Sequence, residues 1–295
     1  KAKKSFSRLG LGTFVILGLG AVVQILAMGV VDRVFPQWME NSWGMWLITF
    51  APLYLIAVPV GLLLLRKVPV KPLEKHDLKP GRYIVSAIIC IFMMYAGNIL
   101  GTVITALLQL LPGISAGNPI LGFATDSALL PKVLFMVILA PVIEEYIFRK
   151  QLIDRMHIYG EKVAVITSAL MFGLFHGNLS QLFYAFALGL VFGYVYLKTG
   201  KLRYSIGLHM LINFIGSVVG PFFLEKLAVL GTMETLDMVA LESIMPWLIG
   251  FGAYVLVLIG LAITGLVLLC INKRRVSFAP AELELPKESC FKIVY

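Results

Sequence analysis

The sequence predicts an all-α, polytopic membrane protein with eight transmembrane helices and both termini cytoplasmic. Three observations predict it. First, 59% of the 295 residues are hydrophobic and only 14% are charged, with a mean hydropathy of +0.91. Soluble globular chains average about 45–50% apolar and about 25% charged. That excess excludes a water-soluble enzyme, a disordered chain and a nucleic-acid binder. Second, the apolar residues gather into stretches near the roughly 20 residues that a spanning helix requires. Third, the basic residues alternate between the two sides of those stretches.

The first span, Leu9–Val31, is longer than a signal-peptide core, and no clean Ala-x-Ala site follows it, so it is expected to remain uncleaved. Trp43–Leu65 and Tyr83–Leu111 follow, and Leu111-Pro112-Gly113-Ile114-Ser115 reads as a turn ending the third span. Leu129–Phe148 contains charge, while Val163–Phe175 and Leu182–Leu197 are short, so hydropathy supports these three least. Ile206–Leu224 and Trp247–Ile271 complete the set. With a cytoplasmic N-terminus, 22 of the 25 Lys and Arg fall on the cytoplasmic side, and only Arg33, Lys132 and Lys226 lie outside. Merging or dropping one helix would spoil that split, which is the positive-inside pattern.

The net charge of +9 is therefore assigned to cytoplasmic loops rather than to an acidic ligand. Cys90, Cys270 and Cys290 are too few for a disulfide framework and lack metal-ligand spacing. Cys290 stands sixth from the end, so the chain is not expected to be a prenylation substrate itself. The chain opens at Lys1 without Met, consistent with trimming or processing. The outer loop Glu225–Ser243 is mildly acidic and reads as solvated, and the tail from Val276 to Tyr295 as loosely ordered.

Ionisable groups inside a bilayer are costly, and here they concentrate between residues 144 and 213. Residues four apart share a helix face, so Glu145 and Arg149 are placed to pair. Glu144 points about 100° away and has no partner on its own helix. Phe172 gives His176 an aromatic wall, and His209 and Asn213 project from one face together. At about 1.5 Å per residue, Glu144, His176, His209 and Asn213 lie roughly 9–21 Å deep on three helices. They could converge on one cavity reached from the cytoplasmic side. An unpaired carboxylate in a poorly solvated cavity is a better general base than a solvated one. A histidine could help it orient and deprotonate a water, and a second histidine with an amide could stabilise an oxyanion. No Ser or Cys is paired to a histidine by spacing, so water is the natural attacker and peptide hydrolysis the natural reaction. His76 and His157 receive no role. Ala185, Gly189 and Gly193 form a small-residue row suited to close helix packing, which would bring the sixth helix near the site helices.

These residues resemble the CAAX protease and bacteriocin-processing proteins, also called the Abi family. That pattern is Glu-Glu-x-x-x-Arg, then Phe-x-x-x-His, then His-x-x-x-Asn. It stands here as Glu144-Glu145-Tyr146-Ile147-Phe148-Arg149, Phe172-Gly173-Leu174-Phe175-His176 and His209-Met210-Leu211-Ile212-Asn213. The stretch 187–196 followed by Thr199-Gly200 also looks like the family's spacer helix, and the likeness covers roughly residues 128–220. The resemblance implies an intramembrane glutamate endopeptidase in which Glu144 activates water with His176, and His209 and Asn213 hold the oxyanion. Glu145 and Arg149 would support the site structurally, with Phe172 beside them. It divides the chain into a three-helix membrane segment (1–127), a catalytic core (128–224), an outer loop and last helix (225–275) and a tail (276–295). A Glu and two His could bind zinc, but no metal and no other cofactor is expected, because a closed ligand set would compete with water activation. The partners implied are the lipid bilayer, a membrane-associated peptide or protein substrate and a further membrane protein, with no nucleic acid. Compact size and the lack of a targeting peptide point to a bacterial plasma membrane as the expected location. Two other readings stay open: a non-catalytic membrane partner, such as a bacteriocin-immunity protein or a scaffold, and a proton-coupled transporter. The transporter draws little support, since the sequence shows no internal repeat.

Overall fold

The computed structural model describes residues 2–111, 127–228 and 238–283. Their regular secondary structure is helical, with no strand among the described residues. In chain order the helices are α1 (Ala2–Val34), α2 (Ser42–Leu65), α3 (Pro80–Gln109), α4 (129–156), α5 (Glu161–Phe175), α6 (Leu179–Thr199), α7 (Leu202–Leu227) and α8 (Met238–Asn272). The turn expected at 112–115, residues 229–237 of the acidic outer loop and the tail beyond 283, with Cys290, fall outside the described residues.

The chain is an integral membrane protein with eight helices among the described residues, and they differ in length and apolarity. Six helices among the described residues are long and apolar enough to cross a bilayer: α1, α2, α3, α6, α7 and α8. Helix α4 runs for a spanning length but carries Glu144, Glu145, Arg149, Lys150, Asp154 and Arg155 along its second half. Helix α5 has 15 residues, a length of about 22 Å against a hydrocarbon core of about 30 Å. Helix α6, which looked short, spans 21 residues. Asn178 caps its start by accepting the Gln181 N–H at 2.9 Å, and Gly200 at φ 59° ends it.

Prolines shape the long helices. Wider π-helical turns occupy Leu53–Ala57, Val133–Leu139 and Ile215–Val219, each ending two residues before Pro59, Pro141 or Pro221. A proline lacks an N–H and its ring crowds the carbonyl four residues back. A wider turn just upstream accommodates both problems without breaking the helix. A fourth such turn, Tyr146–Ile153, follows the Glu144-Glu145 pair and has no proline two residues after it.

Helix α6 is the centre of the bundle, packed along α3 on one side and α5 on the other. The small-residue row does what its spacing suggests. A Cβ on Gly189 would lie 2.9 Å from the Ala169 Cα of α5, and one on Gly193 would lie 3.3 Å from Val165. On the other side, Gly97 of α3 presses directly on the Tyr184 backbone. Gly97→Val should therefore wedge α3 from α6, with a destabilisation of about 1–3 kcal/mol typical of overpacking. Thermal unfolding in detergent would read it, and an unchanged midpoint would mean the two helices are free to part.

The basic loop between α2 and α3 is tied down. Lys71 N–H donates to the Asp154 carbonyl at 2.9 Å, and His157 Nε2 donates to the Lys71 carbonyl at 2.7 Å, giving that histidine a structural place. Asp77 accepts from Lys201 Nζ at 2.7 Å and from the Tyr204 hydroxyl at 2.9 Å, with Arg203 also in contact. These donors hold the Asp77 carboxyl below its ordinary value of 3.8. A lowered pKa contributes stability above the unfolded value that is lost as pH falls through the folded one. The thermal midpoint of Asp77→Asn should thus lie below that of the unmodified chain at pH 7, and the gap should close only under pH 3.8.

The described part of the tail is not loose, contrary to expectation. Ala279 N–H donates to Glu161 Oε2 at 2.7 Å, Glu282 N–H donates to the Ile158 carbonyl at 3.0 Å, and Glu282 meets Lys71 at 2.6 Å. Composition missed this because the ties are to distant loops rather than to local neighbours.

Candidate active site

Helices α4, α5, α6 and α7 bring the motif residues together. The Glu145–Arg149 pair forms as its spacing predicts, with Arg149 Nε 3.0 Å from Glu145 Oε2 and Nη2 3.2 Å from Oε1, both side chains fully buried. Arg149 Nη1 also donates to Ser168 Oγ of α5 at 2.9 Å, and that hydroxyl donates to the Phe148 carbonyl at 2.7 Å. The guanidinium lies 4.8 Å from the centre of the Phe172 ring and 5.7 Å from that of Phe192. Each nitrogen of the guanidinium thus donates a hydrogen bond, the kind of compensation that burying such a charge requires.

His209 sits between the two glutamates. Its Nδ1 is 3.2 Å from Glu145 Oε1 and its Nε2 is 3.7 Å from Glu144 Oε2. The carboxylate of Glu145 can only accept, so Nδ1 carries the hydrogen of that bond. Phe192 stacks on the imidazole at 5.2 Å and Phe172 meets it edge-on at 5.4 Å, so the ring has little freedom to turn. A continuous polar chain results: Ser168, Arg149, Glu145, His209, Glu144.

Glu144 is 9% exposed. His209 is its ion-pair contact among the described residues. Its carboxylate also acts electrostatically on the hydroxyls of Tyr54 on α2 and Tyr184 on α6. The Tyr54 hydroxyl is buried without a hydrogen-bond partner among the described residues. Tyr184 accepts from Gln181 Nε2 at 2.9 Å.

His176 and Asn213 are placed less directly than their spacing suggests. Nδ1 of His176 donates to the Phe172 carbonyl of its own helix at 2.9 Å, which leaves Nε2 with a free lone pair. Its ring packs edge-on against Phe172 at 5.1 Å and against Tyr184 at 6.3 Å, so the aromatic wall is present and has a second side. Asn213 donates one amide N–H to the Met136 carbonyl at 2.8 Å, within the π-helical turn of α4. That tie fastens α7 to α4 and leaves a second N–H. No group of three His, Cys, Asp or Glu side chains among the described residues is arranged to hold a metal ion.

Sequence reasoning missed Tyr54, Tyr184, Phe192 and Ser168. Nothing in the hydropathy of α2 marks Tyr54; the available signal was Pro52 and Pro59 around it. Ser168 lies one turn before Phe172 on α5, a spacing that puts it on the same face.

Comparison with known proteins bears on this region. Residues 126–215 match the family model "Type II CAAX prenyl endopeptidase Rce1-like". The chain is 31% identical over 104 residues to the "Membrane-embedded CAAX protease MroQ" of Staphylococcus aureus (strain USA300). That match covers 32% of this chain and 42% of the relative, so the chain spans under half of that protein's length. No solved structure gives a significant match. The likeness to the CAAX protease and bacteriocin-processing family thus rests on the segment that holds the buried charges.

Proposed function

We propose that this membrane protein, whose core carries the signature of the CAAX protease and bacteriocin-processing family, is an intramembrane glutamate endopeptidase. The observation that carries the reading is the unequal pairing of two adjacent acids. Glu145 is consumed by Arg149 and by His209 Nδ1, whereas among the described residues the ion-pair contact of Glu144 is the Nε2 edge of that histidine, at 3.7 Å. One acid is structural and its neighbour is left to do chemistry.

In this reading the Glu144 carboxylate takes a proton from a water that His176 Nε2 helps to orient. The water oxygen adds to the carbonyl carbon of the scissile bond. The resulting oxyanion takes the second N–H of Asn213, and His209 Nε2 when that nitrogen carries a proton. Protonated Glu144 then gives its proton to the departing amine as the C–N bond breaks, which returns the carboxylate. The catalytic core is assigned to 128–224, the segment 1–127 and α8 complete the bundle around it, and the basic face is assigned to the cytoplasm. The substrate class is a membrane-associated peptide or protein, and the location a bacterial plasma membrane.

The test is the full chain reconstituted in lipid vesicles and offered two fluorogenic peptides with one sequence, one bearing a C-terminal farnesyl-cysteine motif and the other unlipidated. Cleavage of either supports a peptidase, and the preference between them reports the substrate class. Cleavage that persists in Glu144→Gln would assign the hydrolysis to other residues.

A further inference from the structure

The catalytic residues occupy one side of α6, and its other side lines a separate groove. That groove has a volume of about 860 Å³ and runs between α3, α5, α6 and the end of α8. Its walls are apolar, with Ile89 and Met93 from α3, Val165 from α5, Leu190 and Val191 from α6, and Leu269 from α8. Its mouth is basic, lined by Arg82, Lys162, Lys198 and Arg275, with no Asp or Glu in the lining.

The four cations share one end of the bundle. Arg82 is the third residue of α3, Lys162 the second of α5, Lys198 the second from the end of α6, and Arg275 closely follows α8. Lys198 alone is neutralised, by Glu161 at 2.7 Å. Among the described residues, Arg82, Lys162 and Arg275 form no ion pair. Phe278, from the segment after α8, packs edge-on against Tyr194 at 5.6 Å and closes one edge of the mouth. From Arg82 to Met93 the wall of α3 rises about 16 Å, the depth of one leaflet of a hydrocarbon core about 30 Å thick.

We infer that this groove holds an anionic phospholipid, its phosphate among Arg82, Lys162 and Arg275 and an acyl chain along α3 and α6. A neutral lipid would fill the apolar walls equally well but would leave three cations uncompensated at the edge of the hydrocarbon. An anionic headgroup satisfies them, and basic pockets between helices at a membrane face recognise lipids in this way.

The full chain, purified in detergent, is offered phosphatidylglycerol and phosphatidylcholine in equal amounts, and retained lipid is counted by native mass spectrometry. Phosphatidylglycerol should be retained roughly tenfold over phosphatidylcholine. Arg82→Gln with Arg275→Gln should bring the ratio close to one, and Lys162→Gln should lower it by a smaller step. Val191→Trp, which fills the apolar wall, should reduce retention of both lipids. None of these positions belongs to the catalytic set, so peptide cleavage in detergent should persist and show that each variant is folded. Equal retention of the two lipids by the unmodified chain would overturn the inference, as would a preference that survives the double substitution. Displacement by soluble glycerol phosphate would also overturn it, because it would indicate a site for a free anion.

Discussion

Glu144→Gln should reduce peptide cleavage by about 10²–10⁴-fold, the range that a positioned general base contributes, while the protein keeps its fold. The carboxamide matches the carboxylate in shape and still reaches His209, but it cannot take a proton from water. Stability should hold or rise, because the change removes a charge from a site only 9% exposed to solvent. Cleavage rate in vesicles and the unfolding midpoint, measured on one preparation, separate the two effects. Unimpaired cleavage would reject Glu144 as the base, and loss of the fold would mean that its contact with His209 is structural.

The second large effect is on stability. Arg149→Leu removes the cation from a fully buried pair and strands the Glu145 carboxylate beside His209. Breaking a buried pair from one side costs about 3–5 kcal/mol, because the remaining charge has lost its compensation. Denaturant titration in mixed micelles should show this loss. Changing both partners, Glu145→Leu with Arg149→Leu, should recover most of it, since no charge is then left unpaired. Cleavage should not return with the fold, because His209 has lost the acceptor for its Nδ1 hydrogen and with it the orientation of Nε2. A double variant that recovered both would show that Glu145 has no part in positioning His209.

Much of this was legible in the residues themselves. A 3.6-residue period is enough to pair Glu145 with Arg149 and to put Phe172 beside His176, and both relations hold. The small-residue row on α6 announced close packing, and Gly189 and Gly193 supply it against α5. The prolines were visible too, although their consequence, a wider turn just before Pro59, Pro141 and Pro221, was not drawn from them. Hydropathy is least informative where polar function and span length compete. Helix α4 carries charges that lower its apolar score, and α5 is shorter than the hydrocarbon core is thick.

The sequence by itself determined that the chain is a helical membrane protein, that its buried charges lie on α4, α5 and α7, and which neighbours pair within one helix. Those properties depend on composition and on contacts a few residues apart. Only the tertiary structure decided which histidine reaches the glutamates. His209, from α7, is inserted between Glu144 and Glu145, while His176 is bound to the carbonyl of Phe172. It also brought Tyr54 of α2 within the electrostatic reach of Glu144, and fastened Asn213 to Met136. The relations of His209, Asn213 and Tyr54 join residues 64 to 90 positions apart. Their geometry follows from how α6 and α7 pack and rotate against α3, α4 and α5, and no periodicity within one segment encodes that rotation.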